Sequence, residues 1–176
     1  YTPVLDSEKC VNCGLCYSSC PGKGFQFQKL KKNAIYWDDR IGPYISFVTC
    51  HAIDPLLRQN GASGGTVSAI FQYILEKKLV QKILCVRKND EKFEAFLTDD
   101  VDALRQAQGS KYIPVPLNAA LRMIIKNEYS VAVVGTPCEL QGINLASERL
   151  HKLQELIKYK IGAFCGFAQL KECLGA

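Results

Sequence analysis

The spacing of apolar and polar positions divides the 176 residues into two unlike parts. From Gly61 onward the apolar positions keep the periods of regular elements. In GASGGTVSAIFQYILEKKL, Val67, Ile70, Phe71 and Ile74 recur at helical spacing behind a glycine-rich turn. KILCVR (82–87) reads as an apolar strand, and KFEAFLT (92–98) as a second, more alternating one. Asp100 opens a short helix through Leu104, GSKYIPVP (109–116) is a loop stiffened by two prolines, and a helix follows from Leu117 to Lys126. SVAVVG (130–135) is a short, wholly apolar strand of the kind found in parallel sheets covered on both faces, and YKIGAF (159–164) repeats the design. The pattern predicts an α/β fold, with a mostly parallel sheet and flanking helices.

Before Gly61 no period is sustained. Residues 1–9 read as a short strand and turn, and Gly22, Gly24, Gly42, Pro43 and Pro55 interrupt the stretch up to Asn60. Three parts are therefore expected: a small segment (1–30) whose cysteines give it a ferredoxin-like cluster-binding character, a connecting arm (31–60), and an α/β body (61–176) that is incomplete at its C-terminus. In the arm, Tyr36, Trp37 and Tyr44 are expected to pack against the body rather than stack on a cofactor. His51, beside Cys50, is expected to be an ordinary, partly buried residue.

The first part carries the most specific chemistry. CVNCGLCYSSCP sets Cys10, Cys13, Cys16 and Cys20 in the spacing C-x2-C-x2-C-x3-C, followed at once by Pro21. Thiolates three residues apart on a tight loop can wrap one face of a cubane, which is the spacing of bacterial 4Fe–4S ferredoxins. Gly14 lets the backbone approach the sulfides, and Pro21 is expected to stop a helix after the fourth cysteine. Zinc sites favour ligand pairs separated by a longer knuckle, and a disulfide framework suits core-poor secreted domains. In two-cluster ferredoxins the fourth cysteine serves the other cluster, so Cys20 implies a further C-x2-C-x2-C run before Tyr1, unless it completes the cluster of Cys10, Cys13 and Cys16.

The glycine-rich turn at Gly61, Gly64 and Gly65 surrounds Ser63, which is placed to cap the next helix. Glycines there let a phosphate or ring approach the helix amides, although a plain cap explains the same pattern. No Lys-Ser/Thr pair follows, so it is not a phosphate loop of the nucleotidase kind. Lys111 and Tyr112 suit a phosphate and an aromatic ring, and equally suit a surface. Cys138 and Cys165 each follow an apolar strand, where cofactors of open parallel sheets sit; as residues alone they are also ordinary buried cysteines.

Composition narrows the partners. With 48% hydrophobic residues the chain can bury its own core, and no apolar run reaches the length of a membrane span. Lys and Arg total 22 against 17 for Asp and Glu, a net +5 that is spread along the chain apart from Lys29, Lys31 and Lys32, which argues against a nucleic-acid reader. Nine cysteines without a paired framework point to the reducing cytoplasm.

The cysteine run together with DPLLRQNGASGGTVSAI, GSKYIPVP, VVGTPCELQGI and IGAFCGF resembles, in collinear order over nearly the whole chain, the beta subunits of coenzyme F-420 (deazaflavin) hydrogenases and dehydrogenases. The resemblance implies a flavin, FAD, beside 4Fe–4S clusters in a cytoplasmic electron-transfer enzyme. It puts the flavin on Ser63, Gly64, Gly65 and Thr66, with Ser110, Lys111 and Tyr112 opposite. It also turns the reading of Cys138 and Cys165 toward ligands of a second cluster, completed by Cys50, Cys85, Cys173 or residues beyond Ala176. The expected function is an oxidoreductase exchanging a hydride with a small-molecule carrier and single electrons with a redox partner subunit or ferredoxin-like protein. The alternative is a wiring module without a substrate. No residue is required as a general acid or nucleophile. A bulky residue at Gly64 or Gly65 is expected to lower flavin occupancy and leave the fold intact.

Overall fold

The computed structural model describes residues 4–24, 31, 34–90 and 92–166. Its centre is a four-stranded sheet in the order β4-β3-β5-β6, formed by β3 (Lys82–Asn89), β4 (Lys92–Thr98), β5 (Val131–Gly135) and β6 (Ile157–Gly162). β3, β5 and β6 run parallel, and β4 pairs antiparallel with β3 across a tight turn at Asp90, whose φ is 52°. The fold is thus the expected α/β class, with one antiparallel edge strand.

β5 is central, and its Val131, Ala132 and Val133 are fully buried, as an all-apolar strand requires. One face of the sheet packs Leu84, Val131 and Val133 against Leu117, Ile124, Ile143 and Leu153, and the other packs Ile83, Cys85 and Ala132 against Phe71, Ile74 and Leu104. β6 departs from expectation. It lies at the sheet edge and only Ile157 is buried, so the exposed face accommodates Lys158, Tyr159 and Lys160. Cys165 accordingly follows an edge strand, not a buried one.

Seven α-helices are found among the described residues: α1 (Leu15–Ser18), α2 (Pro55–Asn60), α3 (Thr66–Glu76), α4 (Val101–Gln106), α5 (Leu121–Asn127), α6 (Pro137–Ser147) and α7 (His151–Leu156). Asp54 caps α2, its carboxylate accepting from the amides of Leu56 at 2.8 Å and Leu57 at 3.3 Å. Asp100 caps α4 in the expected way. The helix expected from Leu117 begins as a 3-10 turn, Leu117–Ala120, before becoming α5.

The arm is more ordered than its sequence suggests. Tyr36–Asp38 (β1) and Gly42–Tyr44 (β2) form a hairpin in which Tyr36 and Tyr44 stack at 5.5 Å, and Lys31 lies over Trp37. These rings therefore serve the hairpin itself. Further on, Ala52 and Leu57 are buried, so this end of the arm packs on the body. No strand forms over residues 4–9, and His51 is exposed. Lys29, Lys32, Cys173 and residues 1–3 lie outside the described residues.

Candidate cofactor site and cysteine cluster

A cavity of about 430 Å³ opens beyond the carboxyl ends of the parallel strands, floored by Val86 of β3, Gly135 at the end of β5 and Gly162 at the end of β6. That is where open parallel sheets hold ligands, because loops diverge there, and the volume lies in the range of small-molecule sites. The glycine loop supplies one wall through Ser63 and Gly65, and the loop after α4 supplies another through Ser110 and Lys111. Four of the seven residues expected at the flavin thus line one cavity. Gly64, Thr66 and Tyr112 do not line it, and Tyr112 is 64% exposed.

The glycine loop is a 3-10 turn, Ala62–Gly65, with left-handed backbone at Ser63 (φ 51°), Gly64 (φ 72°) and Gly65 (φ 71°). Ser63 does not cap α3. Gly65 is the N-cap, α3 has no side-chain cap and its first turn holds no acidic residue. Gly65 is also required by packing, since a Cβ there would stand 2.1 Å from the Leu57 carbonyl oxygen. The expectation that a bulky Gly65 variant keeps its fold is therefore corrected. At Gly64 the nearest contact would be the His51 Cβ, at 3.0 Å.

Lys111 is held, not free. Its Nζ donates to the carbonyl oxygens of Ala107, Gln108 and Gly109, in the turn that follows α4, close to the helix C-terminus that suits a cation. Burial lowers its pKa, with Cys85 acting in the opposite direction. Cys85 is buried in β3 and lines the same cavity; burial pushes its thiol up to about 12, against the pull of Lys111 and Arg87. It is a neutral small hydrophobe in the core, poorly suited to ligate a cluster.

Two ties clasp the cavity walls together. Arg105 of α4 pairs with Asp54 at 3.0 Å and donates to Gln72 of α3, and the Gln108 side-chain amide donates to the Leu57 carbonyl oxygen at 3.0 Å. Sequence reasoning missed these, and missed Thr136 and Glu139, which also line the cavity. A signal for the last pair was present in the spacing Thr136-Pro137-Cys138-Glu139. It forms a capping box on α6, the Glu139 carboxylate accepting from the Thr136 amide and hydroxyl, each at 2.8 Å.

Cys138 lies in the first turn of α6, 3.3 Å from the Thr136 hydroxyl, and Cys165 lies in the coil after β6. The ends of β5 and β6 are joined by the Ala163 amide donating to the Gly135 carbonyl oxygen at 3.0 Å, so the two cysteines follow adjacent strand ends. Both thiols are exposed and free. Cys50 is exposed as well, against Thr66 at the start of α3.

The cysteine run forms an open loop. Cys10, Cys13, Cys16 and Cys20 carry free thiols, exposed except for a half-buried Cys10. Asn12 (φ 53°) and Gly14 (φ 70°) are left-handed, curling the loop, and the space beside Gly14 is open. Four free thiols on a curled loop are the donor set of a 4Fe–4S cluster. Among the described residues no three His, Cys, Asp or Glu side chains are gathered at metal-holding distances, so the loop has to tighten to ligate. The helix also falls before Cys20 rather than after it. α1 ends at Ser18, and Pro21 begins a 3-10 turn, Pro21–Lys23, consistent with proline's place in a first turn.

Comparison with known proteins identifies the family. Family models described as coenzyme F420 hydrogenase/dehydrogenase, beta subunit, match residues 47–122 with their N-terminal part and 129–170 with their C-terminal part, and a 4Fe-4S binding domain matches residues 1–22. The chain belongs to this beta-subunit family. It is 30% identical over 166 residues to an uncharacterized protein of Methanocaldococcus jannaschii, covering 88% of this chain and 43% of that one. It is 29% identical over 119 residues to the F420-dependent formate dehydrogenase 1 subunit beta of Methanococcus maripaludis, covering 65% of this chain and 30% of that one. The chain thus spans less than half the length of these relatives. In fold it resembles a chain of the F420-reducing [NiFe] hydrogenase complex from Methanosarcina barkeri, with a TM-score of 0.73 over 80% of this chain and 50% of that one, at 18% identity. Among the described residues no helix is long and apolar enough to cross a membrane.

Proposed function

We propose that this chain is the flavin and iron–sulfur module of a cytoplasmic, multi-subunit oxidoreductase that exchanges a hydride with a deazaflavin. The observation that carries the reading is the convergence of Ser63, Gly65, Ser110 and Lys111 on one cavity at the strand ends, in a chain that also bears the four-cysteine run. A bound FAD would supply the exchange between a two-electron hydride and single electrons that a cluster accepts one at a time.

The protein's part is to bind, orient and exclude water. The N-terminus of α3, with no acidic residue in its first turn, suits the phosphate groups, and the Ser63 and Ser110 hydroxyls suit their oxygens. Lys111, held by three carbonyls, contributes a fixed positive charge with little entropy left to lose. Phe71, Cys85 and Val134 give the cavity an apolar interior that would keep water from a ring bound there. Cys10, Cys13, Cys16 and Cys20 would hold a 4Fe–4S cluster. Cys138 and Cys165, with ligands from elsewhere, would hold a second close to the cavity. The partners are a redox subunit or ferredoxin-like protein and the hydride carrier.

Anaerobic purification with iron, sulfide and flavin quantified tests this, followed by addition of the reduced deazaflavin. Stoichiometric flavin that bleaches on mixing, with four or more irons per chain, is the expected result. A colourless protein holding zinc would refute the cluster. Iron without flavin would refute the hydride exchange and leave the wiring module.

A further inference from the structure

The cysteine run does not hang free of the α/β body. Its C-terminal half, α1 and the turn Pro21–Lys23, packs against α6. At the centre of that contact is Gly142, buried in the middle of the helix. A Cβ there would meet the Asn118 side-chain amide nitrogen at 2.9 Å, the Ser19 carbonyl oxygen at 3.6 Å and the Pro21 Cδ at 3.8 Å. Ser19 and Pro21 flank Cys20, the fourth thiol of the run. The Asn118 amide in turn donates to the Glu139 carbonyl oxygen at 3.2 Å, joining the same seam to the first turn of α6. Around the seam the Ser19 hydroxyl and the Asn118 side-chain oxygen are buried without a partner, so the contact rests on close approach of backbone and not on a hydrogen bond between these side chains.

We infer that Gly142 is a positioning residue, the seat into which the cysteine-run segment docks, and that this seat fixes the separation between the cluster and the cavity. The geometry is compact. Glu139 lines the cavity and Gly142 lies three residues on along the same helix, about 4.5 Å of axial rise. A side chain larger than a methyl at position 142 fills the space that Ser19 and Pro21 occupy, and the segment bearing Cys20 has to lift away. The docking itself stands on the contacts alone; its role in electron passage rests on the function proposed above.

The test uses the full chain with its cofactors and two variants that attack the seam from opposite sides. Gly142→Leu fills the seat, and Ser19→Asp buries a carboxylate on the segment. Hydrogen exchange is followed at residues 15–23 and, as a reference, at β5, and iron and flavin contents are measured alongside the rate at which pre-reduced flavin reduces the cluster. The expected result is faster exchange at residues 15–23 with β5 still protected, unchanged iron and flavin, and a rate lowered severalfold, because electron transfer between separated centres weakens with each ångström added between them. Should Gly142→Leu fail to fold, Ser19→Asp carries the test, since Ser19 lies outside the sheet. Unchanged exchange at residues 15–23 in a folded variant would overturn the docking. Faster exchange with an unchanged rate would overturn the positioning role. A parent that binds no flavin would refute the proposed function, with the docking still decided by exchange.

Discussion

Replacing Gly65 by alanine separates the two reasons for a glycine in this loop. The residue sits at φ 71°, and the added Cβ would lie 2.1 Å from the Leu57 carbonyl oxygen, 2.6 Å from its carbon and 3.1 Å from the Arg58 nitrogen. Left-handed backbone costs an L-residue about 1–2 kcal/mol, and forcing a methyl into close-packed backbone costs about 1–3 kcal/mol more. The obstacle is backbone on both sides, so no side chain can swing away. The expected loss is ~3 kcal/mol, a fall in melting temperature of roughly 6–12 °C for a chain of this size. Gly109→Ala is the matched control. It has φ 84° and nothing within 4 Å of its Cβ, so it carries the backbone cost alone, about 1–2 kcal/mol. Urea unfolding followed by far-UV circular dichroism gives both values from midpoints at constant slope. If Gly65→Ala costs no more than Gly109→Ala, the contact with Leu57 is not the reason for the glycine, and close approach of a ligand becomes the better account.

Other outcomes follow from the same site. Ser63→Gly relieves an L-residue at φ 51° at the expense of a freer unfolded chain, so stability should change by about 1 kcal/mol or less, while loss of the hydroxyl weakens flavin binding roughly fivefold in a fluorescence titration. Cys13→Ser should strip the iron and its visible absorbance and leave flavin in place; joint loss of both would mean that segment and body bind their groups as one unit. The Cys85 thiol, raised from 9.0 to about 12 by burial, contributes stability that is complete below pH 9 and is lost as pH rises toward 12. Lys111, lowered by burial, acts in the opposite sense as it loses its proton, so Cys85→Val isolates the thiol: the alkaline fall in melting temperature should flatten in the variant, and an unchanged fall would refute the assignment.

What the sequence made legible was local. The all-apolar β5, the helical spacing of Phe71 and Ile74 and the Asp100 cap each depend on neighbours a few residues away, and each stands in the structure as a short-range pattern should. What it hid was long-range. Gly65 is demanded by Leu57 across a turn, Lys111 is satisfied by carbonyls at a helix end, and the Arg105–Asp54 pair spans 51 residues. β6 reads as a core strand from the apolar run Ile161 to Phe164 although Lys158 and Lys160 precede it, and its position at the sheet edge depends on which strand lies next to it. The helix before Cys20 was misplaced for the same reason that Pro21 is informative: proline is excluded from a helix interior but welcome in its first turn, and spacing alone does not choose.

Two helix N-termini reach the same cavity, and they are not equivalent. α3 starts behind Gly65 with no side-chain cap and no acidic residue in its first turn. α6 starts behind Thr136, whose amide and hydroxyl are both taken by the Glu139 carboxylate, so its positive end already carries a negative charge. An anionic group entering the cavity is attracted at the first and opposed at the second. The fold alone would offer either end; the capping box removes one. On the function proposed above, the charged part of the ligand would lie toward Ser63 and Val67, and its uncharged part toward the joined ends of β5 and β6.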